Sequence, residues 1–355
     1  MTTGSASLDS AGIIDGHRRQ TRRRTAVVAL LVLLMLASLL ADLLTGPSGL
    51  SAADLWGALT GAPETTPAAR VIVWQVRLPA ALLALLVGAA LSLAGAEMQT
   101  ILDNPLASPF TLGVSSAAAL GAALAIVLGL GMPFLPPHLV VVANAFLFAF
   151  ASVLFLQFLA RDRQSDVATL VLFGIALVFT FNALVALVQL VASPDALQQL
   201  VFWGMGSLAE ADWPPVAILG GAIVVIVPFS MLSAWRMTAL RLGEERARSY
   251  GIDVARLRFF SLLRASLLAA SAVAFVGTIG FVGLVGPHIA RLLTGEDHRF
   301  FLPASLLTGA LVMSLASILS KVLVPGLLLP VGIVTSLVGL PIFILLIHRS
   351  RRAQA

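Results

Sequence analysis

Residues able to do chemistry are few in this chain, and they stand far apart. His288 follows Pro287 in GPHIAR and offers an imidazole that could ligate a metal. A metal site needs several histidines or carboxylates converging on one point. His17, His138, His298 and His348 fall at termini or loops and share no face with His288, so no metal is expected there. The chain has no cysteine, which removes disulfides, thiolate ligands and cysteine nucleophiles. Glu97 and Arg264 stand inside long apolar runs at similar depth. They could pair across helices, or each could reach back to the interface. Neither belongs to a series of carboxylates such as a proton relay uses, which argues against a proton-driven carrier. The sequence holds no GxxxxGK[ST] loop, no HExxH pair and no nucleophile triad, so neither ATP hydrolysis nor other catalysis is expected of it.

The elements that would position such groups are apolar runs. Of 355 residues, 59% are apolar and 11% charged, and the mean hydropathy is +1.00. Ordinary soluble domains are about half apolar, glycine included, and about a quarter charged. The composition excludes a soluble enzyme, a disordered chain and a nucleic-acid binder, and it describes an all-α polytopic membrane protein. Runs long enough to span a bilayer, about 17–25 residues, lie at 26–44, 79–100, 113–131, 139–160, 167–192, 214–235, 256–278, 280–294, 302–323 and 332–348. That is about ten crossings. The runs are solidly apolar rather than alternating, which argues against a barrel. The shortest, 280–294, follows its neighbour across the glycine-rich stretch TIGFVGLVG.

A cleaved signal peptide would have a shorter core and a small-residue cleavage site, so 26–44 reads as a retained first helix. The expected organisation is a basic tail at 1–25, one transmembrane domain at 26–348 and a short tail at 349–355. With the N-terminus in the cytoplasm, eighteen basic residues fall on the inner side and three, Arg70, Arg77 and Lys321, on the outer. This bias predicts an even number of crossings with both termini cytoplasmic, in a cell's cytoplasmic membrane.

The long inner connection, 236–258, reads RMTALRLGEERARSYGIDVARLR. Its charges could form a plain solvated face. Glu244 and Glu245, however, open a short helical stretch where acids favour the positive helix end, and Gly251 stands where a glycine ends a helix. The expected product is a helix–glycine–helix element at the membrane surface, fit to dock a soluble partner. Gly88, Ser92 and Gly95, and Gly277, Gly280, Gly283 and Gly286, are spaced for close helix approach. Proline disfavours helix at the preceding residue, so Asn104-Pro105 breaks the chain, as a simple loop or as a bend toward a pathway. Asn182, Gln189 and Ser193 fall in or beside the fifth run, where polar groups face protein or a cavity.

Four stretches resemble the FecCD-type permease family, the membrane subunits of type II ABC importers for iron–siderophores, haem and cobalamin. They are WQVRLPAALLALLVGAALSLAGAEMQTILDNPLASPFTLGVSSAAALG at 74–121, LRLGEERARSYGIDVARLR at 240–258, GFVGLVGPHIARLLTGEDHRFFLPASLLTGA at 280–310 and LPVGIVTSLVGLPIFILLI at 329–347. VFWGMGSLAEADW at 201–213 is a weaker fifth.

The resemblance implies ten helices, a second permease subunit (the same chain or a close paralogue), two cytoplasmic ABC ATPase subunits and an extracytoplasmic binding protein. This chain would bind no cofactor, with ATP and Mg held by the ATPase, and no nucleic acid. The expected role is passage of an iron chelate into the cell, a ferric siderophore first, with haem or cobalamin as alternatives. Leu240, Leu242, Gly243, Glu244, Glu245, Ala247 and Gly251 match the family's ATPase-coupling helices. Arg77 matches the first arginine of an RLPR docking pattern whose second position is Ala80 here, and Arg70 is a nearby substitute. Arg77 could equally be an arginine reaching to the interface. Asn182, Gln189, Ser193, Asn104 and Pro105 are the expected pathway residues, interhelical hydrogen bonds being the alternative for the amides. The family's acid and arginine in the ninth helix become Ser317 and Lys321 here, which leaves Lys321 without an evident partner.

Overall fold

Lipid offers backbone N–H and C=O groups no partner, so a chain this apolar spans it only as helices or a closed barrel. The structure, a computed structural model describing residues 10–159, 167–324 and 326–352, takes the first course: every regular element among these residues is helical. In chain order the helices are α1 Ser10–Leu44, α2 Ala52–Thr60, α3 Pro67–Val71, a π-helical segment Ile72–Arg77, α4 Leu78–Ile101, α5 Val114–Leu128, α6 Pro137–Leu159, α7 Val167–Leu190 and α8 Pro194–Gly204. Then follow α9 Trp213–Leu240, α10 Glu244–Ser249, α11 Val254–Val276, α12 Val282–Thr294, α13 His298–Val322 and α14 Val331–Arg352. Each of the ten apolar runs coincides with one of these helices. Among the described residues, seven helices are long and apolar enough to cross a membrane by themselves. Arg161 and Arg163, counted above on the inner side, and the tail from 353 lie outside the described residues, as does the His348 side chain.

The core is built around α4, which packs against α9, α11, α12 and α13. Almost every α4 residue from Leu83 to Ile101 is buried. The sequence explains this all-round burial, because small residues interrupt the helix on every face and let four neighbours approach. A β-carbon at Gly88 would strike the carbonyl of Gly309, and one at Gly95 the carbonyl of Gly283. Ser92 Oγ donates to the Ser305 carbonyl at 2.6 Å. Apolar burial drives no helix association within lipid, so close packing and interhelical hydrogen bonds must hold this bundle.

The structure departs from the sequence reading at the ends and breaks. The basic stretch from Ser10 is helical and continuous with the first span. The connection between α9 and α11 is 241–253, shorter than 236–258, because both helices run on past the apolar runs. At 1.5 Å per residue α12 covers about 20 Å, well short of a hydrocarbon core of about 30 Å. It starts from a non-helical stretch closed at Gly277, whose φ is +74. Irregular backbone of this kind is tolerated at depth only when protein covers it or it lines a cavity.

Helices α2 and α3 were not among the expected elements, although each has a local signal. Ser51 and Asp54 form a reciprocal capping box, and Thr66 caps α3 with Pro67 in its first turn. The π segment follows from Pro79. Its ring clashes with the carbonyl four residues back, at Gln75, and it has no N–H to give. Leu78 N–H therefore bonds Val73 O, five residues back, and the carbonyl of Trp74 instead accepts from the indole of Trp213 at 2.9 Å.

Candidate functional site

The surface element between α9 and α11 is the first part of the site. Gly243, at φ +105, turns the chain into α10. Glu244 and Glu245 fill its first turn. At its far end Gly251, at φ +77, donates to Arg248 O at 2.9 Å while Ile252 donates to Ala247 O at 3.1 Å, so the last carbonyls are satisfied. Leu240 and Ala247 are buried and seat the element on the bundle. Leu242 and Tyr250 are more than half exposed, and Glu245 is exposed. Glu244 accepts from Arg248 at 3.2 Å and also from Arg258. Arg258 Nε donates to Ile101 O, at the end of α4, at 3.0 Å. Arg241 joins Asp103, after α4, to Glu296, before α13, the latter at 3.3 Å. Such half-exposed pairs are each worth at most about 1 kcal/mol, but together they tie α10 to α4, α11 and the α12–α13 turn.

The second part is a cavity of about 380 Å³ bounded by Phe110, Met205, Thr278, Phe281, Leu284 and Leu337, among others. Three loops interlock to form it. Ser207 N donates to Val276 O at 2.8 Å, Gly332 N to Gly206 O at 3.1 Å, and Thr278 Oγ1 to Gly204 O. A β-carbon at Gly206 would meet Thr278 O, one at Gly277 would meet Trp203 O, and one at Gly332 would meet Met205 O. Glycine is required at 206 and 277 for its positive φ as well. Phe281 holds φ +66, a costly conformation for a bulky residue, and its ring lies where any side chain at residue 339 would be.

A second cavity, about 240 Å³, opens beyond the same loops. Ser207 and Leu329 bound it together with Arg77, Ala80 and Lys321. Arg77 is only 5% exposed. It donates to Leu43 O at 2.6 Å and to Ser48 Oγ at 2.8 Å. Its guanidinium is thus committed to the end of α1 and the connection that follows it, whereas Arg70 is exposed. The partner of Lys321 is Asp42, completely buried in α1 and 2.6 Å from Lys321 Nζ. Ser317 Oγ donates to the same carboxylate oxygen at 3.2 Å. The sequence reading missed Asp42; the available signal was an acid inside the first apolar run, since an ionisable residue in a span calls for a named partner. Asp42→Asn and Lys321→Met are each expected to lower thermal stability in detergent. A double-mutant cycle should return a coupling of about 1–3 kcal/mol; additive effects would mean the two side chains do not act as a pair.

The expected pathway residues are not gathered at either cavity. Asn104 Oδ1 accepts from Leu106 N at 2.9 Å in a local turn, and Pro105 is exposed; the same loop instead sends Phe110 to the first cavity. Asn182 is exposed on α7, Gln189 is half-buried, and Ser193 caps α8. Glu97 and Arg264 pair across α4 and α11 at 2.9 Å. His298, placed above in a loop, is buried and tied to Thr100 at 2.8 Å and Thr238 at 3.3 Å. Among the described residues no group of three ligating side chains could hold a metal.

The chain matches the FecCD transport family over residues 30–349. It is 37% identical over 315 residues to the hemin transport system permease protein of Yersinia pestis, covering 87% of this chain and 91% of that one. It is 35% identical over 336 residues to the vitamin B12 import system permease protein of Escherichia coli O9:H4, covering 94% and 98%. A solved structure described as an inward-facing conformation of a metal-chelate type ABC transporter matches with a TM-score of 0.81 at 31% identity, over 92% of this chain and 99% of that one.

Proposed function

The chain belongs to the FecCD transport family, and from that premise we propose that it carries an iron chelate, a ferric siderophore first, across the cytoplasmic membrane into the cell. It is a multi-pass membrane protein and the permease subunit of a type II ABC importer. Haem and cobalamin are the alternative cargoes, in keeping with the relatives named for hemin and vitamin B12.

One observation carries the reading: two cavities share the interlocked loops 204–209 and 328–333, the first walled, among the described residues, by Phe110, Met205, Phe281 and Leu337 and by no charged group. Such a wall suits a bulky cargo whose metal is already wrapped in its chelator. In this reading a binding protein docks on the face holding Arg70 and the Arg77 cavity, and cargo passes beside the loops. A second permease subunit would cover the exposed Asn182 face of α7, where lipid offers an amide no partner. ATP, with Mg, would be bound and hydrolysed by separate ATPase subunits seated on α10. Both termini then lie in the cytoplasm. Pairing of Glu97 with Arg264 counts against an ion-coupled carrier, because a coupling proton on Glu97 would have to give up the charge pair with Arg264.

Cargo is tested by uptake of labelled ferric siderophore, haem and cobalamin in a strain lacking the gene, with and without the gene restored and with its partner genes intact. Restored uptake of one ligand names the cargo. Rescue of haem or cobalamin alone would overturn the siderophore reading. For the docking element, Glu244→Ala with Gly251→Val should lower uptake about tenfold or more, equivalent to about 1.4 kcal/mol of lost coupling, with the amount of membrane-inserted protein unchanged. Normal uptake by that variant would exclude α10 as the coupling element.

A further inference from the structure

Helix α1 carries a charge pattern that neither the cavities nor α10 uses. Arg18, Arg19, Arg22 and Arg23, in its third and fourth turns, are all exposed. At about 100° per residue they occupy one sector about 140° wide. Leu30, Leu33, Leu36 and Leu40 fall in that same sector further along the helix, and each is about half exposed or more. Leu31, Ser38 and Asp42 fall on the opposite side and are buried. Arg24 shares this inward side. It reaches Asp297 at 3.2 Å and lies 5.8 Å from the centre of the Phe300 ring. Arg299, and then Arg24, hold the Asp297 carboxyl below the usual carboxylate range, so the anchor stays charged. The Arg24–Asp297 contact lies on the same inward side as the Ser38–Ser314 and Asp42–Lys321 contacts, and the other four arginines face outward with the leucines.

Depth completes the pattern. The apolar run starts at Ala26. With a rise of 1.5 Å per residue, Arg22 and Arg23 lie about 5–6 Å beyond it and Arg18 and Arg19 about 10–12 Å. The headgroup layer is about 5–8 Å thick on each side of the hydrocarbon. One pair thus sits in the phosphate layer and the other within a Debye length of it, about 8 Å.

We propose that Arg18, Arg19, Arg22 and Arg23 form a binding site for anionic phospholipid headgroups, whose acyl chains lie along the Leu30–Leu33–Leu36–Leu40 stripe. The continuity of charge with an apolar stripe on one helix face selects a lipid over a free phosphate, which needs no stripe, and over an acidic protein, which would not lie along a lipid-facing run. Guanidinium groups donate to the phosphate oxygens in the forked geometry that arginine favours. A basic residue near such a surface gains about fivefold in local affinity.

The test uses the full-length chain in nanodiscs of phosphatidylcholine alone, or with a quarter of the lipid replaced by phosphatidylglycerol. Native mass spectrometry would count retained lipids, and thermal unfolding would be followed in parallel. The wild type is expected to retain phosphatidylglycerol in preference to phosphatidylcholine by about tenfold and to melt higher in the anionic discs. The Arg18→Gln/Arg19→Gln/Arg22→Gln/Arg23→Gln variant should lose both effects while melting like wild type in pure phosphatidylcholine. Lysine at the four positions should restore most of the preference. Equal retention by the glutamine variant and wild type would overturn the site. So would full competition by inorganic phosphate, or a preference that appears only when a soluble acidic protein is added.

Discussion

Replacing Glu97 with alanine is expected to destabilise the protein by about 3–5 kcal/mol, the usual cost of leaving a buried charge without its partner. Glu97 is 1% exposed. Both its oxygens accept from Arg264 Nε at 3.2 Å, and Oε2 also accepts from Arg264 Nη2 at 2.9 Å. The same Nη2 donates to Ser261 Oγ at 2.9 Å. With the carboxylate gone, the guanidinium keeps one hydroxyl partner and no counter-charge among the packed side chains of α4, α9 and α11. Glu97→Met with Arg264→Met removes both charges and keeps the volume, so that variant should unfold within about 1.5 kcal/mol of wild type. Thermal unfolding in one detergent compares all three. A double variant as unstable as the alanine mutant would show that shape, not charge, holds this contact. A fully stable alanine mutant would show that the pair contributes nothing.

Gly95→Val should be as severe. A β-carbon there would overlap the backbone carbonyl of Gly283, which cannot move aside as a flexible side chain can. Overpacking costs about 1–3 kcal/mol where a core can shift, and more is expected here because α4 is enclosed by four helices. The first turn of α12 would be pushed away, carrying Phe281 and the cavity wall with it, so uptake should fall with stability. Gly220→Ala, in α9, is the control. Its β-carbon would come no closer than 3.7 Å to Leu86 Cδ1, and loss of a helical glycine should stabilise by up to about 1 kcal/mol. Comparing the yield of folded protein and the melting temperature of the two variants decides the matter. A valine variant that melts with wild type would mean the α4–α12 contact is looser than its geometry.

These two sites differ in how far they could be read from the chain. The glycine positions were legible, because Gly88, Ser92 and Gly95 recur on one helix at a spacing that can only permit close approach. Their opposite numbers were not. Gly309 and Gly283 reach α4 from nearly two hundred residues or more along the chain, and spacing does not say which helix comes near. Glu97 and Arg264 were visible as two charges at similar depth. Whether they meet depends on the rotation of α4 and α11 about their axes, which packing sets.

The sequence by itself determined the ten apolar runs, the short run 280–294 set off by its glycine-rich approach, and the helix–glycine element at 244–251. Each follows from local physics: the length of an apolar run, a glycine that accepts positive φ, and acids at a helix start. Only the tertiary structure decided that Arg77 turns inward to Leu43 and Ser48, that Asp42 answers Lys321, and that Phe110 rather than Asn104 reaches the cavity. It also separated Arg24, held by Asp297, from four neighbouring arginines of the same type. In an apolar medium a charged side chain settles on whichever partner the bundle brings within hydrogen-bond reach. That choice is made by helices distant in sequence, so residue type alone does not reveal it.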